Sequence, residues 1–215
     1  MKKVVLLGDS IRMGYDKYVK EALEGVAQVY YPSENCRFSQ YMLRYIHDWK
    51  KKGEWGDDVD LVHWNAGLWD VFDLFDDGPM SSLEHYTQTL VRIDRRIRML
   101  FPNAKVVFAL TTTVNEALYA GGISMRRNSV IDKYNRAAIE VLKDTGTIFN
   151  DLYSLTKDIP MDCRSDKTHF NNPKGAAVLG GQVVATICRE LGIAASDVNI
   201  ENFSLENYTK ENIGE

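Results

Sequence analysis

The chain has 215 residues, 45% of them hydrophobic and 26% charged, and carries a formal net charge of -4. That length suits one α/β domain with a sizeable core. An acidic balance leaves no basic field to draw nucleic acid or an anionic membrane surface, so neither is an expected partner. Cys36, Cys163 and Cys188 are an odd number at unrelated spacings, which argues against a disulfide framework and for a reducing, cytoplasmic compartment. No apolar run approaches the length of a membrane span, and the run after Met1-Lys2-Lys3 is too short for a signal peptide.

Along the chain, short β-branched runs alternate with helical patterns. Strands are predicted at Lys3–Leu7, Ala27–Tyr31, Leu61–Asn65, Lys105–Thr111 and Thr147–Asp151. Helices are predicted at Tyr15–Leu23, Gln40–Lys52, Leu83–Leu100, Asn128–Lys143 and Lys174–Leu191. In the third helix, Leu83, Tyr86, Leu90, Ile93, Ile97 and Leu100 fall at helical spacing, while Arg92, Arg95, Arg96 and Arg98 read as a solvated face. Such alternation predicts right-handed βαβ units. The expected fold is a single flavodoxin-like three-layer α/β domain over 1–193, a parallel five-stranded sheet with helices on both faces. Asp73 to Ser82 reads as an acidic loop and Leu118 to Met125 as a flexible stretch on the substrate edge. Residues 194–215 read as a polar tail, either packed on the surface or partly disordered.

Two short segments carry candidate chemistry. Ser10 follows the first strand in Gly8-Asp9-Ser10, and Asp166 stands three residues before His169 near the far end. A serine is a weak nucleophile until an imidazole takes its proton, and a carboxylate fixes the imidazole tautomer. In a parallel sheet both segments would open on the carboxyl edge, where ligands bind. Asp9 and Ser10 are also favoured helix N-caps, so that simpler role stands beside the chemical one. Ester hydrolysis needs donors for a developing oxyanion, and the Ser10 N–H, at a helix start, is one candidate. Cys163, Asp166 and His169 are spaced like metal ligands, but a zinc site wants a further ligand cluster that the sequence lacks, so no metal is expected. A nucleotide-binding reading of the Gly8 turn has no glycine-rich phosphate fingerprint behind it.

Gly8-Asp9-Ser10-Ile11 is similar to the first sequence block of the SGNH/GDSL hydrolases, and Asp166-Lys167-Thr168-His169-Phe170 to their last block. The stretch Asp60 to Asp70, a strand running into Gly67-Leu68-Trp69-Asp70, resembles their third block, and the likeness extends in order and spacing over Lys2 to Leu191. The resemblance implies Ser10 as nucleophile, His169 as base, Asp166 as its partner, and no cofactor. It also implies a second oxyanion donor in Glu34 to Ser39, where no glycine stands and the backbone of Cys36 or Arg37 is the candidate. A third would be an asparagine side chain; Trp69 occupies that position, and Asn65 offers the nearest amide. Asn65 at a strand end can equally serve local backbone, and Trp69 can simply pack. Asn35 and Arg37 are candidates for lining the substrate pocket, Arg37 for an acidic group. The implied activity is hydrolysis of a small-molecule ester, with acetylated carbohydrate the favoured substrate class and lysophospholipid, thioester and aryl ester left open. Transfer of the acyl group to a sugar hydroxyl, a non-catalytic binding role and assembly into a homo-oligomer stay open.

Overall fold

The computed structural model describes residues 1–205. A five-stranded parallel sheet runs in the order β2-β1-β3-β5-β7, with β1 at Lys2–Leu7, β2 at Ala27–Tyr30, β3 at Leu61–Trp64, β5 at Lys105–Ala109 and β7 at Ile148–Asn150. Val4 to Leu7 and all of β3 are buried, as unbroken apolar runs are in a parallel sheet covered on both faces. The helices are α1 (Ser10–Ala22), α2 (Ser39–Lys52), α3 (Leu83–Leu100), α4 (Asn128–Leu142), α5 (Leu152–Lys157) and α6 (Pro173–Leu191). Helix α6 returns to pack on α1, while α2, α3 and α4 pack side by side. Right-handed crossovers place those two sets on opposite faces. The expected three-layer architecture is therefore the observed one.

Local differences have physical causes. Helix α1 begins at Ser10, five residues before the Tyr15 start expected, because the Asp9 side chain accepts the Ile11 N–H and caps it. Strand β5 stops at Ala109, short of Thr111, because the Asn135 amide bonds both the N–H and C=O of Thr111 and takes it out of the ladder. Helix α5, absent from the sequence reading, is capped by Asp151, whose carboxylate accepts the Ser154 N–H. The two stretches read as loops pair with each other: β4 (Asp73–Leu74) and β6 (Ser124–Met125) form a short antiparallel ribbon. Arg96 and Arg98 are less solvated than expected, reaching the Leu43 carbonyl and the Asp94 carboxylate respectively.

The described part of the tail packs against α1. Ser196 N–H donates to the Ala22 carbonyl at 2.8 Å, Lys17 reaches the Ser204 carbonyl, and Phe203 buries its ring edge-on to Tyr18. The remainder of the tail, 206–215, lies outside the described residues. No described helix is long and apolar enough to cross a membrane.

Candidate active site

The site forms where β1 and β3 end side by side. Pairing of Leu7 with Trp64 in register puts Gly8-Asp9-Ser10 beside Asn65-Ala66-Gly67. Ser10 becomes the first residue of α1, so its N–H points out of the helix start with no acceptor among the described residues. The segment 164–172 comes in from the loop before α6. There Ser10 Oγ lies 2.8 Å from His169 Nε2, and His169 Nδ1 lies 2.8 Å from Asp166 Oδ2. The other Asp166 oxygen accepts the N–H groups of Thr168 (2.6 Å) and His169 (2.7 Å). Burial pushes the Asp166 carboxyl up, but the His169 hydrogen bond and charge and these two backbone donors outweigh it, so it is held well below its ordinary value. An ionised Asp166 keeps the Nδ1 proton on its side and leaves Nε2 to accept from Ser10. The sequence-predicted Ser10, Asp166 and His169 are thus in one hydrogen-bonded series. Ser10 and His169 are each only 1% exposed.

Asp9 and Asn65 brace this corner. The Asn65 amide donates to Asp9 Oδ1 at 3.1 Å. Asn65 also packs so close to Gly8 that a Cβ there would lie 2.0 Å from Asn65 Oδ1, which is why only glycine fits. Burial raises the Asp9 carboxyl, against the pull of its Asn65 and Ile11 hydrogen bonds. Asp70 is a second buried carboxylate. It accepts from Ser39 Oγ (2.6 Å), Ser39 N–H (3.1 Å) and Ser81 Oγ (2.8 Å), tying the start of α2 to the turn after β3. Arg12, on α1, holds the intervening loop through the Pro32 and Glu34 carbonyls.

That loop corrects one expectation. The Cys36 N–H donates to the Gly8 carbonyl at 3.1 Å, so it has no hydrogen left for an oxyanion. The Arg37 N–H is likewise spent, on Asn35 Oδ1 at 2.8 Å. Arg37 sits at φ +51°, the left-handed region where glycine is favoured, and the Asn35 side chain holds it there. The Arg37 guanidinium lies over the Tyr41 ring at 5.1 Å, and its Nε is buried without an acceptor among the described residues. Trp69 is half-buried, and its indole Nε1 is also buried without an acceptor. Among the described residues no group of His, Cys, Asp and Glu is arranged to hold a metal ion.

Sequence reasoning missed the residues that cover the site from the β5 side. Arg126 follows β6 and is 4% exposed. It donates to the Leu68 carbonyl at 2.7 Å and the Tyr119 hydroxyl at 3.1 Å. Tyr119 in turn bonds Thr168 Oγ1 at 2.6 Å. No spacing announces such a contact, since it depends on the β4–β6 ribbon folding 118–127 back over the sheet edge.

No protein-family model matches the sequence, nor does any curated protein. Solved structures do match. A lipase/acylhydrolase from Enterococcus faecalis superposes with a TM-score of 0.66 at 19% identity over 92% of this chain and 100% of that one. An acetyl xylan esterase gives 0.66 at 15% identity over 86% and 99%. A GDSL-like lipase from Bacteroides thetaiotaomicron gives 0.63 at 15% identity over 87% and 88%. At these identities the likeness is one of fold, and this chain has the SGNH/GDSL hydrolase fold.

Proposed function

We propose that the protein is a serine esterase that hydrolyses small acyl esters through an acyl-enzyme. The observation that carries this reading is the His169 imidazole, 2.8 Å from Ser10 Oγ on one side and 2.8 Å from Asp166 on the other. Ser10 Oγ attacks the ester carbonyl while Nε2 takes its proton. The same proton passes to the departing alkoxide as the acyl–Ser10 bond is completed. Water then attacks the acyl-enzyme, giving its proton to Nε2, and the carboxylic acid leaves as Ser10 recovers a proton. The Ser10 N–H, at the positive end of α1 and without an acceptor among the described residues, is the first oxyanion donor. O-acetyl groups on carbohydrate are the substrate class we favour, on the strength of the acetyl xylan esterase among the structures of like fold.

A fluorophosphonate probe tests the reading. It should modify Ser10 alone, and Ser10→Ala should abolish both labelling and turnover of p-nitrophenyl acetate, by on the order of 10⁴-fold. Labelling at another residue, or equal turnover by the variant, rejects it. The near-complete burial of Ser10 and His169 also favours a second reading, transfer to a sugar hydroxyl from an acyl-enzyme sheltered from bulk water. Adding glycerol would then divert the acyl group into glycerol ester at the expense of acetate.

A further inference from the structure

Arg126 is a buried cation that no carboxylate among the described residues pairs with directly. An arginine cannot shed its proton in a protein, and a buried charge is costly unless paired. Yet its hydrogen-bond and ring partners among the described residues are all neutral: the Leu68 carbonyl (2.7 Å), the Tyr119 hydroxyl (3.1 Å), Thr168 Oγ1 (3.4 Å) and the face of Phe72 (4.5 Å). Its Nη2 makes no hydrogen bond to any described residue. The contrast with the next residue is direct. Arg127, more exposed, pairs with both Asp73 (3.1 Å) and Asp76 (2.7 Å), so carboxylates are at hand and are spent on the outer guanidinium.

Its surroundings locate it. Leu68 precedes Trp69, and Thr168 precedes His169. The charge also reaches Asp9, which precedes Ser10 and whose carboxyl burial raises, and there it acts in the opposite sense. Leu68 and Thr168, which touch this guanidinium, and Asp9, which feels its charge, are each a chain neighbour of a site residue. We propose that Arg126 is a specificity residue that receives an oxyanionic group, a carboxylate or a phosphate, borne by the ester beside its scissile bond. This inference rests on the esterase reading and narrows it to acidic esters. A charged guanidinium offering Nη2 to such an anion makes a charge-assisted bond, the stronger kind.

The experiment compares 4-acetoxybenzoate and 4-acetoxyphenyl phosphate with the neutral 4-acetoxybenzamide. The parent protein should favour an anionic ester by roughly 10- to 100-fold in kcat/KM, chiefly through KM. Whichever of the two anions gains more identifies carboxylate or phosphate. Arg126→Gln should erase the preference, costing the anionic esters roughly 10- to 100-fold more in kcat/KM than the benzamide, and Arg126→Lys should restore part of it. Equal losses on charged and neutral esters in Arg126→Gln would mean that Arg126 only braces the Thr168 loop, and would overturn the proposal. So would a parent that prefers the neutral ester, a comparison needing no variant. If no ester is hydrolysed, the esterase reading fails by itself, and calorimetric titration with benzoate and with inorganic phosphate decides the anion site. Binding lost in Arg126→Gln supports it, and no binding by the parent overturns it.

Discussion

The Asn65 amide donates to the Asp9 carboxylate at 3.1 Å, so the side chain just past β3 holds the residue that caps α1 and precedes Ser10. This bond bears on how the oxyanion is held. Asn65 already spends a hydrogen on a buried carboxylate, whereas the Trp69 indole N–H is buried without an acceptor among the described residues. A buried donor without a partner is costly, and an acceptor supplied by the substrate would relieve it. Trp69→Phe should therefore lower kcat by roughly 10²–10³-fold with little change in KM, the effect of losing one preorganised donor. Asn65→Ala should act first on stability, costing about 1–3 kcal/mol in denaturant unfolding by stripping Asp9 of a donor. A silent Trp69→Phe beside an Asn65→Ala with normal stability and a large kcat loss would reverse the two roles.

Asp166 gives a prediction about pH. Its carboxyl is held well below the ordinary range, so it stays ionised as the medium is acidified through the range where imidazoles take up protons. The acid limb of the kcat/KM profile should therefore carry no contribution from Asp166 protonation. An infrared band of a neutral carboxyl over the same range, present in the parent and absent from Asp166→Asn, would overturn this. Asp166→Asn should cost roughly 10³–10⁴-fold in kcat, because an amide can hold the imidazole in the wrong tautomer.

Much of this was legible in the sequence, and the limits are physical. Helix α3 is legible to the residue because its apolar spacing is a local signal; the Ser82 hydroxyl, which accepts the His85 N–H, then caps its start. The five strands were found because each is a short β-branched run bounded by turns. The hydrogen-bonded series of Ser10, His169 and Asp166 was readable because its members sit in two compact motifs, one at the start of α1 and one in the loop before α6. The spent N–H of Cys36 was not, because the Gly8 carbonyl that takes it lies far off in sequence. Arg126 was invisible for a stronger reason. Among several arginines, only the tertiary fold decides that Arg127 receives the carboxylates and Arg126 does not.

His63 supplies a prediction about stability. It lies in the middle strand β3, fully buried, and Asn150 Nδ2 approaches its Nε2 at 3.1 Å. Gln182 donates to Asn150 Oδ1, which turns the Asn150 amino group toward the ring, so Nε2 accepts and the imidazole is neutral. Burial pushes its pKa down to about 3. In the unfolded chain the same ring takes a proton near ~6.5. The unfolded state therefore binds more protons between those values, and folding stability drops as pH falls through that window, by about 1.4 kcal/mol per pH unit. Above it, His63 contributes no pH dependence. Urea unfolding at pH 7.5 and pH 5.0 should thus show a loss of about 2 kcal/mol in the parent from this residue alone. His63→Gln keeps a polar group for Asn150 but cannot titrate, so its stability should fall by about 2 kcal/mol less over the same interval. Equal losses in parent and variant would assign the acid sensitivity to the carboxylates and leave His63 without a part in it.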